Sequence, residues 1–244
     1  MFKILRTFHS LLCWVTAFFL MMVLGFLVIG SLSRFSRNPK KSYHWATRIC
    51  AKFLLWLGRI KVKTEGLHNV PGNPNYIFAP NHESILDILI LEAVVPQWFL
   101  FVMDEELFNI PLLGKYSRQA NYLPISRTRP KRAYQNLRDI ITQLKQGESV
   151  VVFPEGRVSA KGELEKFKTG IGMIVVESGV PVIPVAISGS ARIMSRGSLI
   201  ISRPGSVRVK FGKPLYFEPG QSYPEIAQKI RNDLAEMLRE LRLN

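Results

Sequence analysis

Cysteine is scarce in this chain, and acidic residues are missing from its first quarter. Only Cys13 and Cys50 occur among 244 residues, which excludes a disulfide framework and a thiolate metal site. A reducing, cytoplasmic setting for the globular part is the simplest reading. No internal repeat, low-complexity tract or Gly-x-Ser-x-Gly sequence is present. Those absences exclude a solenoid, a disordered chain and a hydrolase nucleophile elbow.

The first acid is Glu65, whereas residues 1–64 carry eleven Lys and Arg, so most of the net charge of +15 sits there. A nucleic-acid binder spreads its basic footprint over a folded face. Here the charge flanks an uncharged apolar run, Leu11 to Ile29, the pattern expected at an anionic membrane surface. The run reaches the roughly 20 residues that cross a bilayer. It reads either as a spanning helix or as the first arm of an interfacial hairpin. The second arm would be His44 to Ile60, where Ile49, Phe53, Leu54 and Leu57 recur at helical spacing beside Arg48, Lys52 and Arg59. Arg34, Arg37, Lys40 and Lys41 follow the run and oppose a secretory signal. We therefore expect residues 1–59 to be membrane-anchoring helices and residues 60–244 to be one folded domain.

In that domain the pattern predicts strands at Ile60–Glu65, Tyr76–Ala79, Trp98–Met103, Ser149–Phe153, Val182–Ile187 and Val207–Phe211. It predicts helices at Glu83–Val94, Thr128–Gln146 (capped by Thr128), Gly170–Glu177 and from Ser222 onward. The last helix presents Ile226, Ile230, Leu234, Leu238 and Leu241 on one face. Alternating strands and helices imply an α/β fold with a mixed or mostly parallel central sheet flanked by helices.

Four stretches carry candidate chemistry. The first, Asn81-His82-Glu83-Ser84-Ile85-Leu86-Asp87, follows a strand and opens a helix, a place where α/β sheets bind ligands. Five helical residues turn through about 500°, so His82 and Asp87 meet only if His82 precedes the helix. Asp87 would then hold one ring nitrogen and leave the other free as a base. The bland alternative is a structural histidine beside a solvated carboxylate. The second, Phe153-Pro154-Glu155-Gly156-Arg157, combines a glycine that admits a ligand, an arginine suited to phosphate and a carboxylate suited to a polyol. It also reads as an ordinary turn. The third, Ile125-Ser126-Arg127, opens a basic cluster with Arg129, Lys131 and Arg132, either a phosphate site at a helix start or a solvated face. The fourth, Val182-Ile183-Pro184, is most simply a core strand.

In that order and spacing the four stretches resemble the glycerolipid acyltransferase family, specifically its bacterial 1-acylglycerol-3-phosphate acyltransferases (PlsC-like), over about residues 60–215. His82 to Asp87 matches the His-x4-Asp block, and Pro111 and Gly114 fit the segment that follows. Ile125-Ser126-Arg127, Phe153 to Gly156 and Val182 to Pro184 match the later blocks, and Phe167-Lys168-Thr169-Gly170 fits a Phe-Lys-x-Gly element. The chain departs from the family in two places. Arg157 and Val158 replace Thr-Arg after Glu155-Gly156, and Asp104-Glu105-Glu106 stands where the family is Lys-rich.

The resemblance implies a single acyltransferase domain that moves a fatty acyl group from acyl-CoA or acyl carrier protein to the sn-2 hydroxyl of lysophosphatidate, giving phosphatidate. It implies His82 and Asp87 as the catalytic pair. Arg127, Arg157 and Lys168 would hold phosphate, Glu155 and Gly156 the glycerol, and Asn81 and Ser84 would complete the site. No metal, cofactor or nucleic acid is implied. The expected partner is the bilayer, and the expected location is the inner cell membrane with the domain on its cytoplasmic face. A different lysolipid acceptor, a thioesterase and a non-catalytic lipid-binding module remain the competing classes.

Overall fold

In the computed structural model the described residues are 2–23, 39–72, 75–160, 162–202 and 204–243. They form a seven-stranded sheet sandwiched between helices. The strands are β1 (Ile60–Glu65), β2 (Ile77–Pro80), β3 (Leu100–Asp104), β4 (Leu123–Ile125), β5 (Val150–Val151), β6 (Val182–Ser188) and β7 (Gly205–Phe211), in the order β1-β7-β6-β2-β5-β3-β4. All neighbours pair in parallel except β6 with β7. The α/β class and the mostly parallel sheet expected from the sequence are present.

Side chains alternate across a strand, so β2 feeds both faces of the sheet. Phe78 joins the core under helices α2 (Pro39–Leu57) and α3 (Leu86–Val94), through Ala51, Leu55, Ile90 and Leu91. Ile77 and Ala79 face the opposite core, built from α5 (Pro130–Lys145), α6 (Gly170–Ser178) and α8 (Tyr223–Leu243). The predicted stripe of α8, Ile226 to Leu241, is buried there. Full burial of one such side chain is worth about 1.5–3 kcal/mol, so the C-terminal helix is integral to the fold.

Several boundaries moved for identifiable reasons. The helix expected from Glu83 begins only at Leu86, because the backbone N–H groups of Glu83 and Ser84 go to the Asp87 carboxylate. Helix α5 starts at Pro130, with Arg129 and not Thr128 as its N-cap. The Arg129 N–H donates to Ser126 Oγ (3.3 Å). The helix expected over His44–Ile60 runs over Pro39–Leu57 instead and ends where Arg59 takes φ 55° before β1. Three short elements had no periodicity to reveal them: α4 (Leu113–Gln119), β4 and α7 (Ser190–Ile193).

Helix α1 (Phe2–Val23) covers residues 11–23 of the apolar run, and residues 24–29 of that run lie outside the described residues. Among the described residues no helix is long and apolar enough to cross a membrane. Helix α1 touches α2 through His9, whose Nε2 lies 2.9 Å from the Leu57 carbonyl oxygen. It also docks on the loop before β7. Trp14 donates to the Leu199 carbonyl, and Ser10 accepts from the Ile201 N–H.

Candidate active site

Strands β2, β5, β3 and β4 run parallel, and their C-terminal ends open on one edge of the sheet, where such folds bind ligands. Each strand delivers part of the site. His82 follows β2 and Phe153 to Arg157 follow β5, while Asp104 ends β3 and Arg127 follows β4. Together they line one cavity of about 1420 Å³.

The His82–Asp87 pair is built by a local clasp. Asp87, fully buried in the first turn of α3, directs Oδ2 at three donors: the Glu83 N–H (2.7 Å), the Ser84 N–H (2.9 Å) and His82 Nδ1 (3.0 Å). The two backbone donors fix the carboxylate, which in turn fixes the imidazole tautomer with Nδ1 protonated. Nε2 is left for the cavity that His82 lines. The ring lies flat on Phe153, with centroids 3.9 Å apart at 21°.

Glu155 holds the same loop from the neighbouring strand. Its Oε1 accepts from the His82 N–H (2.8 Å) and its Oε2 from the Glu165 N–H (2.9 Å). Burial pushes the Glu155 carboxyl above the ordinary value, against the pull of those two donors. Both oxygens thus serve the backbone, in a side chain that also lines the cavity. Asn81 and Ser84 are likewise held by backbone groups. The Asn81 amide exchanges two hydrogen bonds with the Ile187 backbone (2.7 and 2.9 Å), tying β2 to β6. The Ser84 hydroxyl donates to the Met194 carbonyl (2.6 Å) and is fully buried. Neither side chain has a polar group turned to the cavity.

The expected cations behave differently. Arg127 and Arg157 line the cavity with about half of their side chains exposed, as does the exposed Lys168. Arg127 pairs with Asp104 (2.9 Å) and Arg157 with Glu165 (2.8 Å). The acidic segment that replaces a Lys-rich one thus serves the arginine cluster. Glu105 pairs with Arg129 (2.8 Å), and hydrogen bonds from Ser126 and then Arg129 hold its carboxyl below the usual range. Exposed ion pairs of this kind are worth about 0–1 kcal/mol, so a phosphate can displace the acids. Gly156 takes φ +73° against the Lys168 stem, a turn that brings Arg157 to the cavity rim.

Away from His82 the cavity becomes apolar. Leu54 of α2, Ile88 and Leu89 of α3, and Phe101, Val102 and Met103 of β3 line it. The strand expected at Trp98–Met103 therefore contributes Phe101, Val102 and Met103 to an apolar cavity wall. Two buried acids in this region were missed from sequence. Glu92 sits on the cavity wall, accepts from Tyr122 (2.5 Å) and Thr47 (3.2 Å), and is pushed up to about 7 by burial. Glu83 is pushed up to about 7 by burial and by Asp87, against donors that include the Gly189 N–H and Arg242. A charged residue in a strongly apolar helix was the available signal for Glu92.

A pattern of the family described as "Acyltransferase" matches residues 61–188, more than half of the chain. The chain belongs to the acyltransferase family. Its relatives include the chloroplastic 1-acyl-sn-glycerol-3-phosphate acyltransferase BAT2 of Brassica napus, 32% identical over 84% of this chain and 58% of that protein. The corresponding Pseudomonas aeruginosa enzyme is 26% identical over 92% of this chain and 90% of that one. Against BAT2, the chain spans just over half of the relative's length. The crystal structure of the 1-acyl-sn-glycerophosphate acyltransferase PlsC from Thermotoga maritima superposes with a TM-score of 0.85 at 27% identity, covering all of both chains. Within this acyltransferase domain the matched span begins in β1 and ends with β6, so it contains every strand that delivers the site.

Proposed function

We propose that this protein transfers a fatty acyl group from a thioester, on coenzyme A or acyl carrier protein, to the sn-2 hydroxyl of 1-acylglycerol-3-phosphate, giving phosphatidate. The observation that carries this reading is the Asp87-oriented imidazole of His82 at the polar end of a large apolar cavity rimmed by Arg127, Arg157 and Lys168. A thioester is already activated, so the chemistry needs a base and not an enzyme nucleophile. His82 Nε2 takes the hydroxyl proton as the alcohol oxygen bonds to the thioester carbonyl carbon. The carbon–sulfur bond then breaks, and the departing thiolate receives the proton from the imidazolium, which Asp87 stabilises meanwhile. The rim cations hold the phosphate, and the apolar wall takes the acyl chains.

Residues 1–59 hold this domain at the cytoplasmic face of the cell membrane. Helix α1 exposes Ile4, Leu5, Phe8, Leu11 and Leu12, and α2 exposes Trp45, Ile49, Phe53 and Trp56. Apolar faces beside basic residues suit an interfacial helix pair, which brings the cavity to a lipid acceptor. The test is thioester consumption across a panel of lysolipids in wild type and His82→Ala. Dependence on lysophosphatidate, with a fall of about 10²–10⁴ in the variant, is expected. Free fatty acid released without lysolipid dependence would assign a thioesterase, and full activity in His82→Ala would remove the base.

A further inference from the structure

Successive residues of a helix are about 100° apart, so α2 presents distinct sides. Thr47, Cys50, Ala51 and Leu54 line the catalytic cavity on one flank. On the other flank Arg48, Lys52 and Trp56 border a second, smaller groove of about 370 Å³. No residue lines both. Its apolar lining comes from Leu55, from Ile60 and Val62 of β1, and from Ala93 and Val94 at the end of α3.

The groove has the chemistry of an amphiphile. Two cations stand on one border, the rest is mostly hydrocarbon with one hydroxyl residue, Thr64, and no acidic residue lines it among the described residues. Neither Arg48 nor Lys52 has an acidic partner among the described residues. The Arg48 guanidinium donates to the Val95 carbonyl, at 3.5 Å. The border continues into the exposed apolar side of α2, where Trp56 is 71% exposed. A free inorganic anion would match the cations and leave the hydrocarbon lining unused, and an apolar peptide would leave the cations unmatched.

We propose that this groove binds one anionic glycerophospholipid from the bilayer, its phosphate at Arg48 and Lys52 and its upper acyl segment over Leu55, Ile60 and Val62. This site rests on the membrane placement proposed above and is independent of chemistry at His82. A bound lipid fixes α2 from the flank opposite the catalytic cavity.

The experiment measures partition of the full chain onto phosphatidylcholine vesicles with and without a minor fraction of phosphatidylglycerol. The variants are Arg48→Gln/Lys52→Gln, the control pair Lys61→Gln/Lys63→Gln, and Val62→Phe, each checked for an unchanged melt. The control removes the same charge from residues that alternate to the other face of β1. At about fivefold per basic residue near an anionic surface, the groove pair is expected to lose about 30-fold of the phosphatidylglycerol-dependent gain. The control pair is expected to lose much less. Val62→Phe fills the groove without altering charge and is expected to lose a comparable part of the gain. Equal losses in the two charge pairs, or an undiminished gain in Val62→Phe, would overturn the proposal in favour of diffuse surface attraction. Thioester consumption with lysophosphatidate, measured in parallel in neutral detergent micelles, reports separately on the proposed reaction. A wild type inactive there would count against that reaction and leave the vesicle result standing.

Discussion

Replacing Glu155 with Gln separates two roles that the sequence alone could not. Both carboxylate oxygens of Glu155 accept backbone N–H donors, from His82 at 2.8 Å and from Glu165 at 2.9 Å, in a side chain only 2% exposed. A glutamine keeps the size and one acceptor, but its NH₂ must face one of those N–H groups. One hydrogen bond to a buried carboxyl is lost and a donor is left unsatisfied, at a cost of about 2–3 kcal/mol. For a chain of this length that lowers the melting temperature by about 5–10 °C. The kinetic consequence follows from what the bond holds. Freed from its anchor, the His82 backbone shifts, and a displacement of about 1 Å at a catalytic group costs on the order of 10²-fold in rate. Glu155→Gln is therefore expected to lose kcat by about that factor while its KM for lysophosphatidate changes by no more than about twofold, because both oxygens serve the backbone. Steady-state kinetics with lysophosphatidate and a thermal melt of the same preparation provide the check. A raised KM with kcat and melt unchanged would refute this reasoning and restore Glu155 as a substrate ligand.

The remaining predictions concern other links in the fold and site. Arg157→Gln breaks only an exposed pair with Glu165, so the melt should move by no more than about 4 °C. The KM for lysophosphatidate should rise about tenfold or more, as expected for a lost charge-assisted contact to phosphate; an unchanged KM would place the phosphate elsewhere. Glu92 titrates near 7 in the fold against an ordinary 4.5. The folded state thus binds more protons than the unfolded chain between those values, and stability falls as pH rises through that window, by roughly 3 kcal/mol. Glu92→Gln keeps an acceptor for Tyr122 and a donor for Thr47, so its melt should be flatter between pH 5 and pH 8 (about the span of that window) than that of wild type. An equally steep profile would show that Glu92 does not set it. A Cβ on Gly114 would lie 1.9 Å from the Phe108 carbonyl oxygen. Gly114→Ala should therefore cost at least about 1–3 kcal/mol by overpacking, read as a lowered melt.

How much was legible from sequence differs by element and by residue. Helix α8 was plain because five apolar residues at helical spacing leave little choice of buried face, and β6 because a short β-branched run suits a central strand buried on both faces. Strand β4 and helix α4 were not, because three and seven residues are too few for a period to emerge. The His82–Asp87 pair was legible through local geometry, since both its partners and its clasp lie within six consecutive residues. Phe153 stood in a recognised block, but nothing in its spacing announced that it stacks on His82, 71 positions away.

By itself the sequence determined the α/β class, the basic and acid-free N-terminal quarter, the family blocks and the identity of the imidazole–carboxylate pair. All of these are carried by periodicity, composition or contacts between near neighbours. Only the tertiary structure decided what the polar side chains around that pair do. Asn81, Ser84 and Glu155 are residue types that suit a ligand, yet each is claimed by the backbone of a distant segment: Ile187, Met194 and Glu165 respectively. Arg127 and Arg157 remain on the cavity rim, where their half-exposed guanidinium groups are held only by ion pairs of little worth. A buried polar group must find a partner inside the protein. Which partner it finds depends on which strand ends the sheet brings together, and the order β6-β2-β5-β3-β4 exists only after folding.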